Sequence, residues 1–210
     1  MKVITFTGLE RCDFAYHTAR VLATQADNVI VIDNSRNHEM YEAVSQGPDG
    51  EEDNDHMVVR NNITFLKDVE YSPDFFNSFD YIVMYEGMRY RLKDLEQSSL
   101  VFAMPDFLPA SLEAMKGLPD NVEYIMRDGA GKLNERSAAE IMEIDPDRIV
   151  GTLPYEYNDY SCYLSLIYNG RQKLKGLSPE FTQALAYVCG RAMEIDEKQA
   201  IALIKKARKS

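Results

Sequence analysis

A short turn near the start of the chain has the position of a phosphate-binding loop but few of its residues. The turn comprises six residues: Gly8, Leu9, Glu10, Arg11, Cys12 and Asp13. In an open parallel sheet the first strand-to-helix turn is the usual phosphate cradle, where backbone amides and the helix dipole hold the anion. A working loop reads G-x-x-x-x-G-K-[ST], in which the lysine and the hydroxyl hold phosphate and magnesium. Of that pattern the turn keeps Gly8 and the positive charge of Arg11.

Two carboxylates in this turn, Glu10 and Asp13, stand where a triphosphate would bind. A carboxylate at a helix N-terminus gains from the same amides and dipole that would otherwise bind phosphate. We therefore expect Asp13 to cap the following helix, so that the protein fills its own anion site. This interpretation disfavours ATP. A second interpretation stays open, because four arginines on loops at the same edge could hold an anion: Arg11, Arg89, Arg91 and Arg127.

The elements around this turn follow the order of an α/β protein. Residues 3–7 and the continuous apolar run 28–33 read as buried strands, and residues 14–23 carry apolar residues at helical spacing. Further apolar runs predict strands at 63–66, 81–85, 100–104, 122–126 and 149–153. Helical patterns between them, including 109–118 and 137–144, supply right-handed crossovers. The sequence therefore predicts a three-layer α/β/α fold with a mostly parallel twisted sheet.

The C-terminal segment predicts two helices over about 178–208. Ser178 with Pro179 is a helix start, and Asp196 with Gln199 is a capping pair. The last helix has an apolar face and a basic end, so two interpretations stay open: a helix docked on the fold, or a helix that contacts a membrane. Because no repeat or low-complexity linker interrupts the chain, we expect a single domain over residues 1–210.

Composition excludes several classes of protein. The chain has 210 residues, of which 45% are hydrophobic and 27% charged, enough for a sizeable core. Its formal net charge of −11 disfavours nucleic acid as a partner. Three cysteines and three histidines show no metal-ligand spacing, so we assign no metal site. With no signal-like or membrane-spanning apolar stretch, we expect a cytoplasmic protein, and the acidic segment 49–55 reads as a solvated loop.

The order of segments resembles the MinD/ParA group of deviant phosphate-loop ATPases. ITFTG, the turn, FAYHTARVLA and NVIVIDNS are similar to the opening strand, phosphate loop, helix and second strand of that family. FDYIVMYEG is similar to its Walker B strand, and VEYIMRDGAGKLNERSAAEIMEID to the strand that carries adenine-binding groups. The resemblance continues through LVFAMPDFLPASLEAMKGL and IVGTLPYEYNDYSCYLSLIYNGR, and so covers nearly the whole chain. It implies a P-loop NTPase-like fold of the MinD/ParA type.

The resemblance also implies a nucleotide site whose specific residues have changed. The family's phosphate-loop lysine falls near Arg11 and its magnesium-binding hydroxyl near Cys12, a poor magnesium ligand. The Walker B aspartate falls near Tyr85. The residues that would contact a nucleotide are Gly8, Leu9, Glu10, Arg11, Cys12, Asp13, Asp33, Glu86, Arg127 and Pro154. Because phosphoryl transfer needs several of the lost groups together, we assign no catalytic residue and expect no turnover.

Within this family the pattern is closest to the TadZ/CpaE proteins of tight-adherence pilus systems. The resemblance implies a catalytically silent protein that acts through protein partners, as a homodimer, in localising or assembling a cell-envelope apparatus for pilus formation, secretion or division. The C-terminal basic helix would supply peripheral membrane contact at the inner face of the membrane. The alternative is an atypical nucleotide-binding switch or weak ATPase that binds ATP or ADP with magnesium and uses Arg11 in place of the usual lysine.

Overall fold

The computed structural model of the protein describes residues 1–8, 10–46, 51–54, 56–74, 76–129, 134–170 and 174–209. These residues form nine strands: β1 (Lys2–Thr7), β2 (Val29–Asp33), β3 (Glu51–Asn54), β4 (Met57–Arg60), β5 (Ile63–Lys67), β6 (Tyr81–Gly87), β7 (Leu100–Ala103), β8 (Val122–Gly129) and β9 (Ile149–Pro154). They also form eight α-helices: α1 (Asp13–Leu22), α2 (Glu39–Ser45), α3 (Leu92–Gln97), α4 (Pro109–Glu113), α5 (Glu135–Met142), α6 (Tyr157–Asn169), α7 (Pro179–Met193) and α8 (Glu197–Ala207).

The strands form one sheet in the order β3-β4-β5-β2-β6-β1-β7-β8-β9. All pairs from β5 to β9 are parallel, and β4 pairs with both β3 and β5 in antiparallel register. Neighbouring residues of β2 point to opposite faces, since Val31 belongs to the core under α1, α2, α6, α7 and α8, whereas Ile32 belongs to the opposite core. The predicted three-layer, mostly parallel α/β fold is confirmed.

The prediction of a loop over residues 49–55 is wrong where the structure describes that segment. Residues 51–54 form β3, which pairs with β4 at the end of the sheet. A strand at the edge of a sheet is held by backbone hydrogen bonds on one side, so a polar composition does not prevent pairing. Residues 49, 50 and 55 lie outside the described residues.

The two C-terminal helices begin where the sequence predicts. The hydroxyl of Ser178 accepts a hydrogen bond from the backbone N–H of Phe181, and Pro179 is the first residue of α7. Asp196 and Gln199 form a reciprocal capping box at the start of α8. The apolar face of α8 is buried against the fold through Ala200, Ile204 and Ala207. Of the two interpretations, the docked helix is therefore the one that the structure shows.

Candidate functional site

The candidate site lies at the carboxyl edge of the sheet, where the turn after β1 leads into α1. Gly8 begins the turn with φ +101°, a left-handed conformation that favours glycine. Its backbone N–H donates to the carbonyl of Gly87 at 2.8 Å, and a Cβ at position 8 would lie 3.0 Å from the backbone nitrogen of Met104. Gly8 thus lets the turn pass between β6 and β7. Leu9 lies outside the described residues.

Four charged side chains meet at the start of α1, and we call them the arginine–aspartate cluster: Arg11, Asp13, Arg127 and Asp128. Arg127 donates from both terminal nitrogens to the carboxylate of Asp13, at 3.3 and 3.0 Å. Arg11 donates to the same carboxylate at 3.1 Å and to both oxygens of Asp128 at 3.0 Å. A single carboxylate therefore holds two guanidinium groups where the resemblance would place phosphate.

The centre of the cluster is closed to solvent. Asp13 is 1% exposed and Arg127 is 2% exposed. Burial by itself raises the pKa of Asp13, but the charges of Arg127 and Arg11 outweigh it and hold that pKa below its ordinary value. The carboxylate is consequently ionised at neutral pH, and together with Asp128 it balances the two positive charges of Arg11 and Arg127.

Aromatic rings cover both arginines. The guanidinium of Arg11 lies 5.6 Å from the ring centroid of Tyr160 and 5.2 Å from that of Tyr163. The guanidinium of Arg127 lies 5.5 Å from the ring of Phe181. Such contacts stabilise a desolvated cation. Helices α6 and α7 thereby fix the side chains that hold Asp13.

The prediction that Asp13 is the N-cap of α1 is wrong by one position. Cys12 occupies the N-cap position, and its side chain makes no capping hydrogen bond. Asp13 is the first helical residue, and its carboxylate accepts the N–H of Phe14 at 2.9 Å. The carboxylate still occupies the positive end of the helix dipole, with the two arginines turning it towards the cluster.

Glu10 is the other carboxylate of the turn, and it is directed towards the loop after β6. It accepts the backbone N–H of Met88 at 3.1 Å. Gly87 has φ +60°, a left-handed conformation that favours glycine, and a Cβ there would come within 2.7 Å of a Glu10 oxygen. Glu10 therefore holds two loops together instead of joining the arginines.

Asp33 lies at the end of β2 and is fully buried. One carboxylate oxygen accepts the N–H and the hydroxyl of Ser35, at 3.1 and 2.6 Å, and the other accepts the N–H of Tyr41 at 3.0 Å. Burial raises the pKa of Asp33 above its ordinary value, and these hydrogen bonds act in the opposite direction. With both oxygens occupied, Asp33 orders the connection from β2 to α2.

Glu86 follows the buried Tyr85 at the end of β6 and is also buried. Its carboxylate accepts a hydrogen bond from the side-chain amide of Asn34 at 2.8 Å, and a terminal nitrogen of Arg91 lies 3.8 Å away. Burial raises the pKa of Glu86. Among the described residues, no group of three or more potential ligands could hold a metal ion.

The remaining candidates have separate roles. Cys12 is fully buried, and burial raises the pKa of its thiol well above the ordinary value, which disfavours the thiolate that a nucleophile or a metal ligand needs. Pro154 ends β9 opposite Gly129, close in sequence to Asp128. Arg91 forms an ion pair with Asp94, and Arg89 is exposed. Of the four predicted arginines, Arg11 and Arg127 therefore share the Asp13 carboxylate, whereas Arg89 and Arg91 line a separate pocket beside Glu86.

Sequence reasoning missed Asp128, which completes the cluster. Asp128 has φ +52°, so it departs from the regular pleat near the end of β8. This departure lets consecutive residues 127 and 128 both reach the start of α1. No signal in the sequence marks that local change of direction.

As described, these residues do not fit a nucleotide with magnesium. The position at the start of α1 already holds an anion in Asp13, and the oxygens of Asp33 are taken by hydrogen bonds from the protein itself. No protein-family model matches the chain, and no curated protein matches it.

Solved structures match over nearly the whole chain. A ParA family ATPase from Chlorobium tepidum TLS is 11% identical, covers 98% of both chains and superposes with a TM-score of 0.55. The MinD cell division protein of Aquifex aeolicus is 14% identical over 93% of this chain and 98% of that chain, with a TM-score of 0.62. The protein has the ParA/MinD fold.

A third ParA/MinD structure agrees. A chain of the MinC:MinD cell division protein complex of Aquifex aeolicus is 13% identical over 92% of this chain and 95% of that chain, with a TM-score of 0.62. At such identities the likeness establishes the fold alone. What the site binds must be argued from its own residues.

Proposed function

We propose that this protein is a catalytically silent relative of the ParA and MinD ATPases that acts through protein partners in localising or assembling a cell-envelope apparatus. The observation that carries the proposal is the Asp13 carboxylate, held between Arg11 and Arg127 at the helix start where a phosphate would bind. A nucleotide would have to displace it and pay the cost of separating a buried, hydrogen-bonded ion pair, which is several kcal/mol.

The residues that would perform hydrolysis are also replaced. Arg11 is committed to two carboxylates, and Cys12 offers a buried thiol where the resemblance would place a magnesium-binding hydroxyl. Tyr85 is buried at the position that matches the Walker B aspartate. Phosphoryl transfer depends on charge neutralisation and positioning by all of these groups together.

Exposed apolar side chains support a role in protein association. Among the described residues, four of them follow the carboxyl ends of β6, β7 and β9: Met88, Leu108, Tyr155 and Tyr157, exposed by 40%, 65%, 53% and 74%. Large apolar side chains with a polar surround are typical of interfaces. We propose that this edge binds a second copy of the chain. A pilus or secretion apparatus, as for TadZ/CpaE, rests on the sequence resemblance.

The proposal also includes peripheral membrane contact, but only through the basic end of α8. The apolar face of α8 is packed on the fold, so contact would depend on the basic residues at its end, attracted to anionic lipid. In the described residues, no helix has the length and apolarity needed to cross a bilayer.

Isothermal titration with ATP and magnesium tests the proposal. We expect no binding heat from the wild-type protein at millimolar nucleotide. We expect Asp13→Ala to bind, because it leaves Arg11 and Arg127 facing a vacated helix terminus. Asp27→Ala, which removes an exposed carboxylate in the connection between α1 and β2, is the matched control and should behave as the wild type. Hydrolysis by the wild type that Arg11→Ala abolishes would overturn catalytic silence.

One observation favours the alternative, an atypical nucleotide switch. The Nε atoms of Arg11 and Arg127 are buried without a hydrogen-bond partner, so each guanidinium keeps a spare donor. The switch predicts that ATP with magnesium raises the melting temperature, because a ligand stabilises the state that binds it by RT ln(1 + [L]/Kd). An unchanged melting temperature at millimolar ATP excludes binding tighter than that range.

A further inference from the structure

A groove lies at the end of the sheet furthest from β3. Strand β9 is the last in the strand order, and in the described part of the chain it pairs with β8 alone. Its outer edge borders a groove of about 610 Å³, whose other wall is one face of α7 and the start of α8. This volume is in the range of binding sites, and it is separate from the arginine–aspartate cluster.

The floor of the groove has room for the backbone of another peptide segment. Gly151 of β9 lines it, and a Cβ built there meets no atom within 4 Å. An unpaired strand edge offers N–H and C=O groups that a further extended segment can pair with. Ala184 and Tyr187 of α7 and Ile195 before α8 supply apolar surface along the opposite wall.

The groove carries a net negative charge. Three glutamates line it: Glu180, Glu194 and Glu197. Among the described residues that line the groove, the one arginine is Arg191, and it already donates to Glu123, which lies outside the lining. Glu194 forms an ion pair with Lys2, whereas Glu180 and Glu197 form none with the described residues. Two carboxylates without an ion-pair partner in the described part of the chain therefore line the groove, one in the first turn of α7 and one in the first turn of α8.

The dimensions suit a short extended segment. Residues 180 to 194 of the α7 wall rise by about 20 Å at 1.5 Å per residue. An extended peptide covers that length with about six residues, the same number as β9 itself.

We propose that β9 and α7 bind a basic, extended segment of a partner protein, which adds to the sheet as a further strand. Backbone pairing with β9 gives affinity, and lysine or arginine at each end of the segment meets Glu180 and Glu197. The proposal goes beyond the function proposed above, since it requires neither nucleotide nor a second copy of the chain.

Fluorescence anisotropy with a labelled peptide tests the site in the full chain. The probe is Lys-Val-Thr-Val-Thr-Lys with blocked ends, and we expect saturable binding. Glu180→Gln/Glu197→Gln should weaken it by about threefold or more, since two surface ion pairs are lost. Glu96→Gln/Asp74→Asn, which removes two exposed carboxylates elsewhere, should leave binding unchanged. Gly151→Phe should weaken binding by about tenfold or more, because the added ring fills the groove without meeting the fold.

Two further peptides separate strand addition from simple charge attraction. One peptide is N-methylated at its odd-numbered residues and the other at its even-numbered residues. Because alternate N–H groups of a strand point to opposite edges, one of the two peptides cannot donate hydrogen bonds to β9. We expect one of the two to lose binding by about tenfold or more. The proposal would be overturned if both methylated peptides bound as tightly as the unmodified probe, or if a probe with glutamate in place of its lysines did so. It would also be overturned if Glu180→Gln/Glu197→Gln bound the probe as tightly as Glu96→Gln/Asp74→Asn does, or if binding did not saturate at millimolar peptide. If Gly151→Phe fails to fold, as judged by circular dichroism, the methylated peptides decide.

Discussion

At the scale of single residues, Asp13 determines what the start of α1 can bind. The helix dipole and the free N–H groups there attract any anion, and this chain supplies one from its own sequence. Arg11 and Arg127 then serve as partners of a carboxylate instead of a ligand. Removing one member of a buried charged set commonly costs 3–5 kcal/mol, so the cluster also ties β8 to α1.

His17 lies one turn beyond Asp13, and its protonation is coupled to folding. It is 2% exposed, in edge contact with the rings of Tyr16 and Phe181. Burial lowers the pKa of His17 to about 4; Asp13 raises it, and Arg20 and Arg127 lower it. In the unfolded chain the imidazole binds a proton near its ordinary value of about 6.5.

This difference predicts acid sensitivity. Because the native state keeps His17 neutral, its contribution to stability is fully present above about pH 6.5 and falls by up to about 1.4 kcal/mol per pH unit as the pH drops towards 4. In urea unfolding measured from pH 7 to pH 4.5, His17→Gln should lose stability less steeply than the wild type. His56→Gln, a substitution at an exposed position, is the control. Equal slopes for His17→Gln and the wild type would refute the assignment.

At the scale of elements, the connection between α6 and α7 fixes the aromatic floor of the cluster. The carboxylate of Asp159 in α6 accepts the N–H of Ser178 at 2.7 Å and its hydroxyl at 2.6 Å. Ser178 in turn caps α7 by accepting the N–H of Phe181, whose ring lies beneath Arg127. The position of Arg127 thus depends on a cap made by two other residues.

This linkage predicts coupled losses of stability. Ser178→Ala removes the cap and should cost about 1 kcal/mol. Asp159→Ala leaves the buried N–H of Ser178 without a partner and should cost about 1–3 kcal/mol. Because the two residues share hydrogen bonds, the double variant should lose less than the sum. Asn134→Ala, which removes the separate cap of α5, is the control and should add fully to Ser178→Ala in urea titrations. Additive losses for the Asp159 and Ser178 pair would contradict the linkage.

Elements were more predictable than the contacts between them. Apolar runs predict the parallel strands, and the capping residues predict the start of α7. Both signals are local, because the residues that carry them lie within a few positions of each other in the sequence. The ion pair of Asp13 with Arg127 joins residues 114 apart and depends on where β8 enters the sheet. Strand β3 was missed because edge pairing requires no apolar pattern, and Asp128 because its positive φ has no signature in the sequence.

At the scale of the whole molecule, one sheet links the three hydrophobic clusters that the described residues form. Strands β1, β2 and β6 contribute to the clusters on both faces, and β7 and β8 join the remaining cluster to the same sheet. Helices α7 and α8 pack against each other and against α1, so the C-terminal helices belong to the principal core. We therefore propose a single folding unit over residues 1–210.

A single folding unit predicts one cooperative transition. The chain has 13 tyrosines and no tryptophan, so tyrosine fluorescence reports on side-chain packing and far-ultraviolet circular dichroism on the helices. The two signals should give the same urea midpoint and the same slope, since no cluster can lose its strands without exposing another. Ala200→Asp, which places a charge in the buried face of α8, should lower the midpoint of both signals together. Separate midpoints, or an effect of Ala200→Asp on only one signal, would show that α7 and α8 unfold independently of the sheet.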